Sequence, residues 1–270
     1  MCSAPVTPAS GIGFFGKLPA HGDFIQRGLP RSFIAPWDQW LQAVLTNSRE
    51  LLGDTWLSHY LVGPIWRFAL SAGLCGSNAW RGVLMPSVDR VNRYYPLTIA
   101  MAEPADTPPL AMLADGETWF AACEEAALGA LDPAVDADAL LRTLGAIEQR
   151  PAPRVRVGCA QQGAGGASAW RFGLTGGTGA GLEAVVAEAL LCQAYPQCSL
   201  WWTTGSDTIG ATLLIHRGLP SMHDFAALLD GRWQRWGWAD CAMTTAGPAG
   251  DDDDSDSDSH EATAPGGLEP

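Results

Sequence analysis

The stretch GIGFFGKLPAHGDFIQRGLPRSFIAPWDQWLQAVL, residues 11–45, changes period part-way along. Residues 11–18 form a short apolar run bounded by glycines and closed by Pro19, which predicts a strand leading into a turn. Ser32 then offers an N-cap, and Ile34, Trp37, Trp40, Leu41, Val44 and Leu45 recur at helical spacing, so an amphipathic helix is expected to end near Arg49. Outward from this stretch, Trp56, Leu57, Tyr60 and Leu61 predict a second, short helix before Gly63 and Pro64. Residues 65–70, 82–85 and 95–101 read as strands, and Pro104, Pro108 and Pro109 as a linker or long loop. Helices rich in alanine and leucine follow at 117–128 and 135–147, closed by Pro151 and Pro153. A strand at 154–157, a glycine-rich loop at 158–166, a helix at 182–191, strands at 200–204 and 211–216 and a helix at 222–229 complete the reading. Strands alternating with helices predict an α/β layered sheet.

With 270 residues, 47% of them hydrophobic, the chain can bury one large core or two modest ones. No export signal is read at residues 1–10 and no apolar run is long enough to span a bilayer, so a cytoplasmic location without membrane insertion is expected. The seven cysteines, at 2, 75, 123, 159, 192, 198 and 241, share no repeated spacing, which points to reduced thiols and away from a disulfide framework or a zinc site. Net charge is −13, and removing the six aspartates of residues 251–258 leaves −7, an acidic balance that argues against nucleic acid or anionic lipid as partners. The expected organisation is a flexible N-terminus over 1–10, one domain over 11–245 and a disordered acidic tail over 246–270, whose composition cannot build a core.

Several patterns that suggest chemistry fail in context. Gly11, Gly13 and Gly16 match G-x-G-x-x-G, but no strand precedes Gly11 and Lys17-Leu18-Pro19 cannot open a helix, so a dinucleotide site is rejected. The glycine-rich residues 173–181 lack the lysine and hydroxyl pair of a phosphate-cradling loop. The five histidines make no helical His-x-x-x-His pair, adjacent His223 and Asp224 read as surface or capping residues, and no Gly-x-Ser-x-Gly elbow occurs. No cofactor or metal is implied. What remains is two polar segments set among glycine, proline and aromatics. The first runs over 16–24 with Arg27 and offers Lys17, His21, Asp23 and Arg27; the second runs over 86–98 and offers Ser87, Asp89, Arg90 and Arg93. In the second, Asp89 can accept hydrogen bonds from a guanidinium within one turn, which makes an internal salt-bridged turn at least as good a reading as a binding site.

These segments resemble the TagF family, also called ImpM, of type VI secretion-associated proteins. Its pattern runs approximately G-x-x-G-K-L-P-x-x-G-D-F-x-x-R, then W-D-x-W-L, then P-x-W-R-F-x-L, then P-S-x-D-R-V-G-R-x-F-P-L. Residues 13–24 with Arg27, residues 37–41, 64–70 and 86–97 supply these in order, with Asn92 in place of a glycine and Tyr95 in place of a phenylalanine. Asparagine tolerates a left-handed backbone and tyrosine keeps the ring. The resemblance is clear over 11–101 and weaker to about Trp238. It implies a three-layer α/β/α sandwich around a mixed sheet, and a post-translational regulator, generally a repressor, of type VI secretion assembly that acts through a forkhead-associated scaffold protein. It brings no catalytic residues. The competing reading is a hydrolase-like enzyme, with the two polar segments brought together in one cleft.

Overall fold

Residues 11–114, 116–148 and 182–241 are described by the computed structural model, and within them every segment expected to be extended joins one sheet. The strands are β1 (Ile12–Gly16), β2 (Ile25–Arg27), β3 (Trp66–Leu70), β4 (Ala79–Met85), β5 (Leu97–Glu103), β6 (Cys198–Thr203) and β7 (Thr212–Arg217), in the order β2-β1-β5-β4-β3-β6-β7. The expected N-terminal flexibility, the strand at 154–157, the loops at 158–166 and 173–181 and the acidic tail lie outside the described residues. The fold below is that of the unit ending at Trp238; residues 239–241 belong to a second unit.

The expected α/β fold, a three-layer α/β/α sandwich around a mixed sheet, is overturned: every strand pairing is antiparallel. β3, β4 and β5 form a meander, with Phe68 opposite Gly82 and Gly82 opposite Ala100, and β6 and β7 form a hairpin beside β3. Antiparallel neighbours need only short connections, whereas parallel ones need a crossover. The burial pattern explains the misreading. β1, β3 and β4 are buried on both faces throughout, so they appear as continuous apolar runs of the kind that usually marks a parallel sheet.

Seven α-helices are described: α1 (Arg31–Leu52), α2 (Trp56–Leu61), α3 (Pro109–Ala114), α4 (Glu117–Gly129), α5 (Ala137–Gly145), α6 (Leu182–Ala194) and α7 (Ala227–Asp230). α1 begins one residue before Ser32, after Pro30 and without a side-chain cap, and tolerates Pro36 near its start. α3 occupies what reads as linker, with Pro109 at its first position, where a missing N–H costs nothing. The expected helix at 222–229 is a 3₁₀ turn, Asp224–Ala226, running into α7.

Alternation along the strands divides the core. Trp66, Phe68 and Leu70 of β3, Trp80 and Leu84 of β4 and Ala100 of β5 pack with Phe33, Trp37, Leu41 and Val44 of α1. Val83, Met85, Leu97, Ile99 and Met101 face the opposite way, against Trp119, Phe120 and Cys123 of α4 and Leu140 and Leu144 of α5. Trp37 is wholly buried, lies 4.8 Å from the Phe68 ring and 5.4 Å from Phe33, and donates its indole N–H to Thr98 Oγ1 at 2.9 Å. Trp40 is half-buried and donates to the Pro220 carbonyl at 2.8 Å. Replacing Trp37 by Ala is therefore expected to cost about 3–5 kcal/mol in urea unfolding, while Trp40→Ala costs less, about 1–3 kcal/mol. Equal losses would place the two rings equally in the core.

Candidate functional site

Gly16 ends β1 with a φ of 142°, and the Pro96 carbonyl presses against its Cα where any side chain would overlap it. This close approach sets the segment after β1 beside the connection between β4 and β5, residues 86–96, so the two polar segments meet. The glycines that mimic a dinucleotide fingerprint serve strand packing, since a side chain on Gly13 would collide with the Arg27 to Leu29 backbone.

Asp89 sits at the junction with its side chain fully enclosed. Lys17 Nζ donates to Asp89 Oδ2 at 2.6 Å, and Arg93 Nε donates to the same oxygen at 2.7 Å. The Val91 and Arg93 backbone N–H groups donate to Oδ1 at 3.0 and 2.9 Å. Burial alone would push the Asp89 carboxyl pKa up, but the hydrogen bonds from Lys17, Arg93 and Val91 outweigh it and hold the group well below the usual carboxylate range. The Asn92 N–H donates to the Asp89 carbonyl at 2.9 Å, and the Asp89 N–H to the Arg93 carbonyl at 3.1 Å. Asn92 has a φ of 63° and is the one non-glycine residue with positive φ among the described residues, as expected where the family pattern has glycine.

The remaining candidates divide between tethers and rim. Ser87 Oγ donates to the Lys17 carbonyl at 2.7 Å, and the Tyr60 hydroxyl of α2 both accepts from the Ser87 N–H at 3.0 Å and donates to its carbonyl at 2.9 Å. The His21 carbonyl accepts from the Arg90 N–H at 2.9 Å, while His21 Nε2 accepts from the Ala137 N–H at the start of α5 at 3.1 Å. Asp23 and Arg90 are exposed; Asp23 Oδ1 lies 3.7 Å from an Arg93 guanidinium nitrogen that donates to the Gly22 carbonyl. Arg27 stands apart on β2, where its Nε lies 3.6 Å from Asp138 Oδ1.

Sequence reasoning missed Phe24, Tyr60, Val91 and Tyr95. Phe24 is 49% exposed, yet meets Tyr95 edge-to-face at 4.7 Å and holds the Lys17 ammonium 5.0 Å from its ring centre. Val91 is 59% exposed at the tip of the turn, and an apolar residue inside V-D-R-V-N was the available signal. Tyr95 donates to Asp38 Oδ1 of α1 at 2.6 Å, which explains the Asp of the W-D-x-W-L segment. Similarly, the P-x-W-R-F segment supplies Trp66, which donates to the Leu228 carbonyl at 3.1 Å, and Arg67, which pairs with Glu117 and Glu124 of α4.

The junction is chemically saturated. Asp89 is fixed as an anion on four donors, Lys17 is sequestered beneath Phe24, and His21 spends its acceptor nitrogen on a helix terminus. A cavity of about 770 Å³ opens elsewhere, between α4 and α5, and none of the eight candidate residues lines it. Among the described residues no cluster has the composition of a metal site and no disulfide is formed.

The family described as the TagF N-terminal domain, type VI secretion system-associated, matches residues 13–147. Among solved structures, the crystal structure of PA0076 from Pseudomonas aeruginosa PAO1 is similar with a TM-score of 0.69 at 35% identity, covering 88% of this chain and 99% of that one. No curated protein sequence matches.

The depressed Asp89 pKa has a definite sign for stability. Its contribution is fully present above the unfolded-state value of about 4 and is lost as pH falls through the folded-state value. Asp89→Asn strands the Lys17 ammonium and is expected to cost about 3–5 kcal/mol at neutral pH. The gap between wild type and variant should close as the pH is lowered below about 4. Thermal melts across that range check both statements, and a pH-independent gap would contradict the second.

Proposed function

This chain belongs to the TagF family of type VI secretion system-associated proteins, and on that premise we propose that it regulates the apparatus by binding a protein partner and not by turning over a substrate. The observation that carries the reading is the division of labour in the 86–96 turn. Its ionisable core is consumed internally by Lys17, Asp89 and Arg93, while its outer residues Arg90, Val91, Asn92 and part of Arg93 are held in solvent on a backbone fixed by Asp89. Exposed arginines on a backbone held in place are among the usual anchors of a protein interface. A hydrolase would need an acid or base free to change protonation at working pH, and Asp89 is held away from that condition.

The partner in this proposal is the forkhead-associated scaffold protein of the secretion system, and the sign is repression of assembly, both as the family resemblance implies. Location in the cytoplasm belongs to the same reading; no helix of the described residues is long and apolar enough to cross a membrane. The net charge of −13 supports a protein partner over nucleic acid.

Val91→Glu tests the interface directly. With Val91 exposed, the change should leave the thermal midpoint nearly unchanged. It should sharply weaken capture of the scaffold protein in a pull-down and relieve repression of secretion in cells. A variant that captures the scaffold as wild type does would remove this turn from the interface.

A further inference from the structure

Arg90 is the one cation of the turn that the fold does not use. Its backbone N–H is tied to the His21 carbonyl, but its exposed side chain makes no ion pair and no hydrogen bond among the described residues. Its guanidinium Nη2 lies 3.6 Å from the point where a Gly22 side chain would begin, and Arg93 donates to the Gly22 carbonyl from the other arm of the turn. Two guanidinium groups therefore converge on one glycine. Arg93 is already paired with Asp89 through its Nε at 2.7 Å, whereas no carboxylate among the described residues pairs with Arg90. Asp89 is committed to Lys17, Arg93 and two backbone N–H groups, and Asp23, 97% exposed, lies 3.7 Å from Arg93. Arg90 is therefore an uncompensated positive charge on a chain whose net charge is −13.

We infer that Arg90 and Arg93, presented over Gly22, form a two-pronged receptor for an oxyanion carried by a partner peptide, either a carboxylate side chain or a phosphorylated residue. Arginine suits both because its planar fork donates paired hydrogen bonds to two oxygens at once. Arg93 is ordered in advance by its Nε bond to Asp89 and its Nη2 bond to the Gly22 carbonyl, which leaves Nη1 to donate, and Arg90 supplies the unpaired arm. Phe24 and Val91, exposed on the same loops, add apolar contact beside the anion. The inference rests on the binding reading above and names the chemical group recognised.

The test uses the full chain and fluorescence anisotropy with two labelled probes: a hexaglutamate peptide, and a phosphothreonine peptide with neutral flanks beside its unphosphorylated form. Binding of at least one anionic probe, weakened by added salt, is expected. Arg90→Ala should weaken that binding about tenfold or more while leaving the melting curve unchanged. Arg90→Lys should recover only part of it. Arg235→Ala, which removes another exposed arginine, should have no effect. Preference for hexaglutamate assigns a carboxylate ligand, and preference for the phosphopeptide assigns a phosphoryl one. Failure to bind either probe, or wild-type affinity in Arg90→Ala, overturns the inference. Loss of scaffold capture in Val91→Glu together with unaltered probe binding in Arg90→Ala would sink this inference alone; the reverse would sink the regulatory reading alone.

Discussion

A carboxylate that is shut away from water must be matched by donors, and the Asp89 side chain is fully enclosed. Matching it recruits Lys17 from the end of β1, Arg93 from the far arm of its own turn and two backbone N–H groups. Those demands shape the surroundings. Lys17 can reach only because Gly16 lets the strand end lie against Pro96, and the turn can close only with Asn92 in the left-handed region. A buried ion pair of this kind adds little net stability compared with an apolar filling, but breaking it is costly, so it acts as a geometric constraint. The outcome is a surface turn more rigid than its length would suggest.

The frame behind that turn is tied by indole and phenol hydrogen bonds that cross long stretches of sequence. Trp37 reaches Thr98, Tyr95 reaches Asp38, Trp66 reaches the Leu228 carbonyl and Tyr60 brackets Ser87. Each aromatic ring buries a large apolar area while its polar tip satisfies a group that would otherwise be stranded in the core. In this light the ordered sequence motifs are cross-links: the polar residue of each finds its partner in another segment. Many of the twelve tryptophans are spent in the interior, as with Trp37, Trp80 and Trp201, and their number says little about an interface.

Local pattern was enough to place α1, α4 and the described strands other than β2, because amphipathic and apolar periods are local properties. Strand direction was not legible. The doubly buried β1, β3 and β4 mimic a parallel sheet in composition, and one of the two pairing partners of β1, β5, lies more than eighty residues away. β2 is three residues long and α3 hides among prolines, so neither has room to show a period. In the site, Lys17, Ser87, Asp89 and Arg93 were identified by residue type and do meet, and an internal salt-bridged turn around Asp89 was one of the two readings of that segment. That Arg27 turns toward Asp138, or that His21 receives the Ala137 N–H, depends on where β2 and α5 dock, which no spacing encodes.

The division between a saturated interior and an exposed rim is the basis for proposing the 86–96 turn as the surface of partner recognition, and under that proposal recognition depends on the integrity of the fold. The most direct measurement is hydroxyl-radical footprinting of the full chain with and without the purified scaffold protein. Phe24 and Val91, both open to solvent in the free chain, should lose reactivity on complex formation, while Leu61 and Leu190, exposed on α2 and α6, keep theirs. Unchanged labelling of Phe24 and Val91 in a complex that protects other residues would contradict the assignment of this turn as the binding surface.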